Sequence, residues 1–167
     1  MRISLIPDYT CRIYRDVSAN WLKQRGIRLL LCDLDFTLAP KFVSHPDAEV
    51  LAWIAEMKAE GITVMILSNN RSSQRVELFC RELDITYVGH AGKPARRGYR
   101  QAMEQVGVSA RETAMLGDKL LTDVLGARCS GILSLMVEPA GGAITPWQKV
   151  LHTLQIPFKK LAKGAIE

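Results

Sequence analysis

No stretch of the 167-residue chain approaches the roughly 20 consecutive apolar residues that a helix needs to cross a bilayer. The longest candidates, residues 27–34 and 62–67, have the length of strands. There is no internal repeat, no low-complexity segment and no run of like charge. With 48% hydrophobic and 23% charged residues, the composition excludes disordered, collagen-like and coiled-coil chains. The four cysteines, Cys11, Cys32, Cys80 and Cys129, form no Cys-x-x-Cys pair and have no histidine near them in sequence, which argues against a zinc site. They read as buried free thiols of a reducing compartment. Residues 1–8 are broken by Pro7 and Asp8 before a signal-peptide core could form, so the expectation is a cytoplasmic protein.

What remains is a chain of single-domain length, able to bury roughly 70% of its unfolded surface. Basic residues outnumber acidic ones, 22 to 17, for a formal net charge of +5. That surplus suits an anionic partner, and equally a surface kept away from zero charge for solubility.

Strand-like and helix-like segments alternate. Residues 27–32 and 62–67 read as buried parallel strands, with a helix between them opened by Pro46-Asp47 and closed by Gly61. Further helices are expected over 72–83, 95–106 and 123–129, and further strands over 85–88, 113–116 and 132–137. Residues 147–154 form a last helix, broken by Pro157. Residues 138–143 are the most linker-like stretch, yet nothing calls for a domain boundary. The pattern predicts one α/β domain over 1–167: a Rossmann-like parallel sheet with helices on both faces, a core over about 27–137 and a helical segment over about 145–163. Such sheets bind ligands at the carboxyl ends of their strands.

Four polar clusters fall at four such ends. Asp33 and Asp35 follow the first strand on one side of an extended chain, where their mutual repulsion calls for a divalent cation or a split of ionised and protonated roles. Ser68, followed by Asn69, ends the second strand and offers a hydroxyl to a phosphate oxygen. Lys93 precedes a helix and supplies a point charge. Gly117-Asp118-Lys119-Leu120-Leu121-Thr122-Asp123 brings two more carboxylates after a sharp turn, hard oxygen donors of the kind magnesium takes. Together these are the requirements of phosphoryl transfer through an aspartyl phosphate.

At these residues, Asp33-x-Asp35-x-Thr37-Leu38, Ser68, Lys93 and Gly117-Asp118 through Asp123, the chain resembles the haloacid dehalogenase superfamily of phosphatases. Within it the Gly117–Asp123 element looks most like subclass IIIA of the YqeG type, related to phosphatidylglycerophosphate phosphatases. The resemblance implies that Asp33 is the nucleophile and that Asp35 protonates the leaving oxygen and then activates water. It implies Mg2+ held by Asp33, the Asp35 backbone carbonyl and Asp118, with Asp123 either a further ligand or a group that orients the ligands, and with Thr37, Ser68, Asn69 and Lys93 around the phosphoryl group. Phe36 stands where the family usually has asparagine or a small residue; it could narrow access or meet an apolar substrate.

Only 32 residues separate Asp35 from Ser68, and 24 separate Ser68 from Lys93, so the spacing leaves no room for a cap domain. An open site suits a large or surface-bound phosphomonoester, a lipid headgroup included, unless a homo-oligomer covers it. Arg96, Arg97 and Arg100, and Lys159, Lys160 and Lys163 among Phe158, Leu161 and Ile166, are segments able to meet an anionic membrane or to form a solvated face. Two other classes compete: a phospho-receiver, whose order of clusters differs, and a nucleic-acid- or membrane-binding module with an idle site. No nucleic-acid partner is expected. The tryptophans Trp21, Trp53 and Trp147 read as core or interface, and His45, His90 and His152 carry no catalytic role.

Overall fold

The computed structural model describes residues 4–41, 43–70, 73–141 and 145–167. The expectations for residues 1–3, for a helix start at Ser72 and for Gly142 and Ala143 fall outside these. Seven strands form one sheet: β1 (Tyr9–Cys11), β2 (Leu29–Cys32), β3 (Thr63–Leu67), β4 (Thr86–Val88), β5 (Thr113–Gly117), β6 (Leu133–Val137) and β7 (Gly164–Ala165). Their order is β4-β3-β2-β5-β6-β1-β7, and every pairing is parallel. A parallel sheet covered on both faces needs strands apolar throughout, and all four residues of β2 are buried.

Alternation along β2 feeds two cores. Leu30 and Cys32 pack with Val50, Trp53, Ile54 and Met57 of α2 (Ala48–Ala59) and with Val76, Phe79 and Cys80 of α3 (Ser73–Leu83). Leu29 and Leu31 face the other way, onto Tyr99 and Ala102 of α4 (Arg96–Val106) and Ala127 of α5 (Leu125–Ser130). The α/β architecture with helices on both faces is thus as expected. The chain leaves β2 toward β3 on one side and reaches β5 on the other, so the carboxyl end of β2 is the switch point where such a sheet opens a crevice.

Several details differ from the expectation. Strands β1 and β7 were not foreseen, because two- and three-residue strands carry no readable alternation; the sheet therefore reaches beyond residues 27–137 at both ends. The helix expected from Asp123 instead starts with a π turn (Leu120–Val124) that runs directly into α5. Pro157 does not break the terminal helix: α6 spans Pro146–Lys160. Proline there removes one backbone donor, but the turn beyond it is anchored from the side. Phe158 packs on Leu120, Val124 and Met136, and Lys159 Nζ lies 2.8 Å from Glu138. Thr145 and Gln148 cap its first turn reciprocally, with Pro146 at the first helical position. Trp53 is core, as expected, whereas Trp147 is 67% exposed. Cys11, Cys32 and Cys80 are buried, and Cys129 is half-buried. No helix among the described residues is long and apolar enough to cross a membrane.

Candidate active site

The backbone of Asp33 continues the ladder by donating to the Leu116 carbonyl (2.9 Å), which fixes its carboxylate over the switch point. The chain then turns tightly through residues 34–39, with the Phe36 N–H donating to the Ala39 carbonyl at 2.8 Å. Phe36 adopts φ 64°, a left-handed conformation that costs a non-glycine residue about 1–2 kcal/mol. The Phe36 carbonyl accepts from the Ala140 N–H at 2.7 Å, a contact that helps hold it there.

At the end of β3, the buried Ser68 hydroxyl accepts from the Asn70 N–H (3.0 Å). Asn69 clasps the next loop: its amide nitrogen donates to the Lys93 carbonyl (2.9 Å) and its oxygen accepts from the Lys93 N–H (2.7 Å). This clasp aims Lys93 back across the sheet. Its ammonium, 2% exposed, lies 2.7 Å from both Asp33 and Asp123. At the end of β5 the chain needs a residue without a side chain, because a Cβ on Gly117 would lie 2.5 Å from Asp123 Cβ. The π turn then folds Asp123 under the cluster, where its second oxygen accepts from the Lys119 N–H (3.1 Å). Tyr99 supports the turn from below, its hydroxyl donating to the Thr122 carbonyl at 3.1 Å.

Asp33, Asp118 and Asp123, all buried, each offer an oxygen within 4.8 Å of the others. Three carboxylates face two ammonium groups, those of Lys93 and Lys119, and Lys119 Nζ lies 3.0 Å from Asp118 and 3.4 Å from Asp33. With all three carboxyls ionised, one negative charge is left over. Burial pushes Asp118 up to about 7, opposed by Lys119 and reinforced by Asp33 and Asp123. Burial also raises Asp123, against the pull of Lys93. For Asp33 burial works in the same direction, but Lys93 and Lys119 outweigh it and hold the carboxyl below its ordinary value. Burial would lower Lys93, yet Asp123 and Asp33 raise it. A cluster of hard oxygen donors with an unbalanced negative charge fits a small divalent cation.

The site brings together Asp33, Lys93, Asp118 and Asp123, with Ser68 and Asn69 on the neighbouring loop. The Asp35 side chain pairs with Arg75 of α3, just before the tight turn at Phe36, and is not one of the three clustered carboxylates. Thr37 is buried, and its hydroxyl has no hydrogen-bond partner among the described residues. Sequence reasoning missed two participants. Lys119 lies inside the acidic motif, where a lysine between two carboxylates was a readable signal; Arg75 carried none. A cavity of about 80 Å3 adjoins the cluster, bounded by Phe36, Asp118, Lys119, Pro139, Leu151 and His152. Lys119 also lies 5.7 Å from the centre of the Phe36 ring. Lys159 and His152 both pair with the half-exposed Glu138, so one lysine of the basic segment, Lys159, is engaged by an ion pair within the chain.

A family model described as haloacid dehalogenase-like hydrolase matches residues 42–131, which takes in Ser68, Lys93, Asp118 and Asp123 and begins after Asp35. The chain is 31% identical over 138 residues to the probable phosphatase YqeG of Bacillus subtilis, covering 83% of this chain and 80% of that one. It is 32% identical over 117 residues to a phosphoserine phosphatase of Thermus thermophilus (65% of this chain, 46% of that one). It is 25% identical over 154 residues to the chloroplastic phosphatidylglycerophosphate phosphatase 1 of Chlamydomonas reinhardtii (87% and 57%). The chain thus spans about half the length of the latter two. Among solved structures, the cobalt-bound deoxy-D-mannose-octulosonate 8-phosphate phosphatase of Haemophilus influenzae superposes with a TM-score of 0.59 at 17% identity, covering 86% of this chain and 79% of that one, a likeness of fold.

Proposed function

The chain belongs to the haloacid dehalogenase-like hydrolases, and on that premise we propose that it is a phosphomonoester hydrolase that works through an aspartyl phosphate on Asp33 and depends on a divalent cation such as Mg2+. The observation that carries this reading is the Asp33–Asp118–Asp123 cluster, with Lys93 bridging two of its members.

Asp33 is kept ionised by two ammonium groups, as a nucleophile must be. A carboxylate oxygen attacks phosphorus, the bond to the leaving oxygen breaks, and that oxygen takes a proton from Asp35. Water then attacks the same phosphorus, giving its proton to Asp35, and the acyl phosphate bond breaks to free Asp33 and inorganic phosphate. For both steps the Asp35 side chain turns from Arg75 toward the substrate. Lys93, with the Ser68 hydroxyl and the hydroxyl of Thr37, holds the phosphoryl oxygens. Asp33, the Asp35 backbone carbonyl, Asp118 and Asp123 would hold the cation, which when bound neutralises charge on the phosphoryl group.

The finer reading concerns the substrate. The segments between the motifs are short, which suits a site without a cap domain, and the cavity beside it is lined by Phe36 and Leu151. Beyond this cavity α6 turns Trp147, Leu154 and, at its end, Leu161 outward, each more than 60% exposed. A phosphomonoester with an apolar portion fits this arrangement, and phosphatidylglycerophosphate presented at an anionic membrane is the candidate.

Phosphate release from an aryl phosphate, with and without Mg2+, compared between the protein and Asp33→Asn, tests the reaction. Mg2+-dependent release that disappears in Asp33→Asn is expected; release unchanged by that substitution overturns the nucleophile assignment. Phosphatidylglycerophosphate in mixed micelles tests the substrate: no release from it beside robust turnover of phosphoserine overturns the lipid reading and leaves the hydrolase reading intact.

A further inference from the structure

At the amino ends of the strands, away from the acidic cluster, lies a second concavity of about 530 Å3. It opens where β1, β6 and the segment before β5 begin, while Asp33 and Asp118 follow the opposite ends of their strands. The five residues of β6 span about 16 Å between the two regions.

Its floor is Asp8, 4% exposed. One carboxylate oxygen accepts from Arg128 (2.7 Å) and lies 2.8 Å from Lys163 Nζ; the other accepts from the N–H (3.0 Å) and hydroxyl (2.9 Å) of Ser134. Both oxygens are therefore used up, and what they present to the groove is the two cations they anchor. Two more cations line it with no carboxylate partner among the described residues. Arg25 lays its guanidinium 3.7 Å over the Trp21 ring and 5.1 Å from that of Tyr9, with Nη1 on the Trp21 carbonyl at 3.1 Å. Arg111 is exposed on the rim. Four cations thus converge on a groove that holds one carboxylate, and Arg25 and Arg128 are already held in place by other contacts. Tyr9, Ile27 and Ile132 add apolar wall.

We propose that this groove is a binding site for a soluble anion bearing a phosphate dianion or a pair of phosphates, of about mononucleotide size. Three guanidinium forks match phosphate oxygens in pairs, and Lys163 adds a point charge. The volume falls in the range of small-ligand sites. Asp8 has no free oxygen, and the lining offers neither a nucleophile beside a base nor a cluster of free carboxylates, so the groove binds without reacting. A membrane seated here would lie against the strand ends remote from the acidic cluster, which favours a free ligand over a lipid headgroup.

The test is calorimetric titration with adenosine 5′-(α,β-methylene)diphosphate, which resists phosphomonoester hydrolysis, in low salt with chelator to disable the acidic cluster. The double variant Arg25→Ala/Arg111→Ala removes the two cations that no carboxylate holds, and its unfolding temperature and aryl phosphate turnover report its integrity. Saturable, salt-sensitive binding that weakens at least tenfold in the double variant, with turnover unchanged, is the expected result. Equal affinity in both proteins would put the probe at the catalytic end and overturn the proposal, as would no binding at millimolar probe. Co-sedimentation with phosphatidylglycerol vesicles that the double variant loses, without binding of the soluble probe, would overturn the soluble ligand in favour of a headgroup.

Discussion

Gly117→Ala puts the construction of the acidic cluster to the test. A Cβ at this position would lie 2.5 Å from Asp123 Cβ, where ordinary contacts fall at 3.4–4 Å, so Asp123 must retreat by about 1 Å. It has nowhere to go. The residue is 1% exposed, held by Lys93 at 2.7 Å and by the Lys119 N–H at 3.1 Å. Losing the charge-assisted bond removes about 1.5–3 kcal/mol and crowding adds about 1–3 kcal/mol, so a total of about 2.5–6 kcal/mol is expected. Against a typical domain stability of about 5–15 kcal/mol, the variant remains folded with a clearly lower urea midpoint. Because Lys93 also carries Asp33, displacing Asp123 disturbs the nucleophile, and a misplacement of about 1 Å costs about 100-fold in turnover. Urea unfolding and Mg2+-dependent aryl phosphate hydrolysis read the two effects separately. A variant with wild-type midpoint and turnover refutes the steric argument, and one that is destabilised but fully active refutes the link between this turn and the reaction.

A Cβ on Gly126 would lie 2.6 Å from the Tyr99 ring and nearer to its hydroxyl, so Gly126→Ala destabilises by about 1–3 kcal/mol. In a double-mutant cycle measured by urea unfolding, Tyr99→Phe relieves part of that cost, and strict additivity would refute the contact. Burial would raise Asp8, but its bonds from Lys163, Ser134 and Arg128 win and hold it below 3.8. Its stabilisation is therefore complete above pH 3.8 and fades as the pH falls through the lower folded-state value. Asp8→Asn should cost about 2–4 kcal/mol at pH 7, and the gap in unfolding free energy should close in acid; a gap independent of pH contradicts the ion-pair account. Mg2+ at about 100 times its dissociation constant should stabilise the protein by about 2.7 kcal/mol. Asp118→Ala should abolish that rise in unfolding temperature, and a rise that survives in the variant removes Asp118 from the cation's ligands.

The sequence by itself determined the central alternation. Leu29, Leu30 and Leu31 in succession, at strand length, read as a strand buried on both faces, and Gly61 marks where a helix ends. It also determined that Asp33, Ser68, Lys93 and Asp118 each follow a strand, which in a parallel sheet brings them to one edge, because strand direction and side-chain period are local properties of the chain. The tertiary structure decided the rest. Asp35 pairs with Arg75, forty residues away on another helix, a partner that no local periodicity encodes. Pro157 stays inside a helix because Phe158 and Lys159 find partners on other elements, a compensation that local propensity cannot anticipate. Strands β1 and β7 exist through pairing with distant neighbours, being too short to declare themselves. The basic groove is assembled from Arg25, Arg111, Arg128 and Lys163, which sit on four separate segments, so only the folded chain brings their charges together.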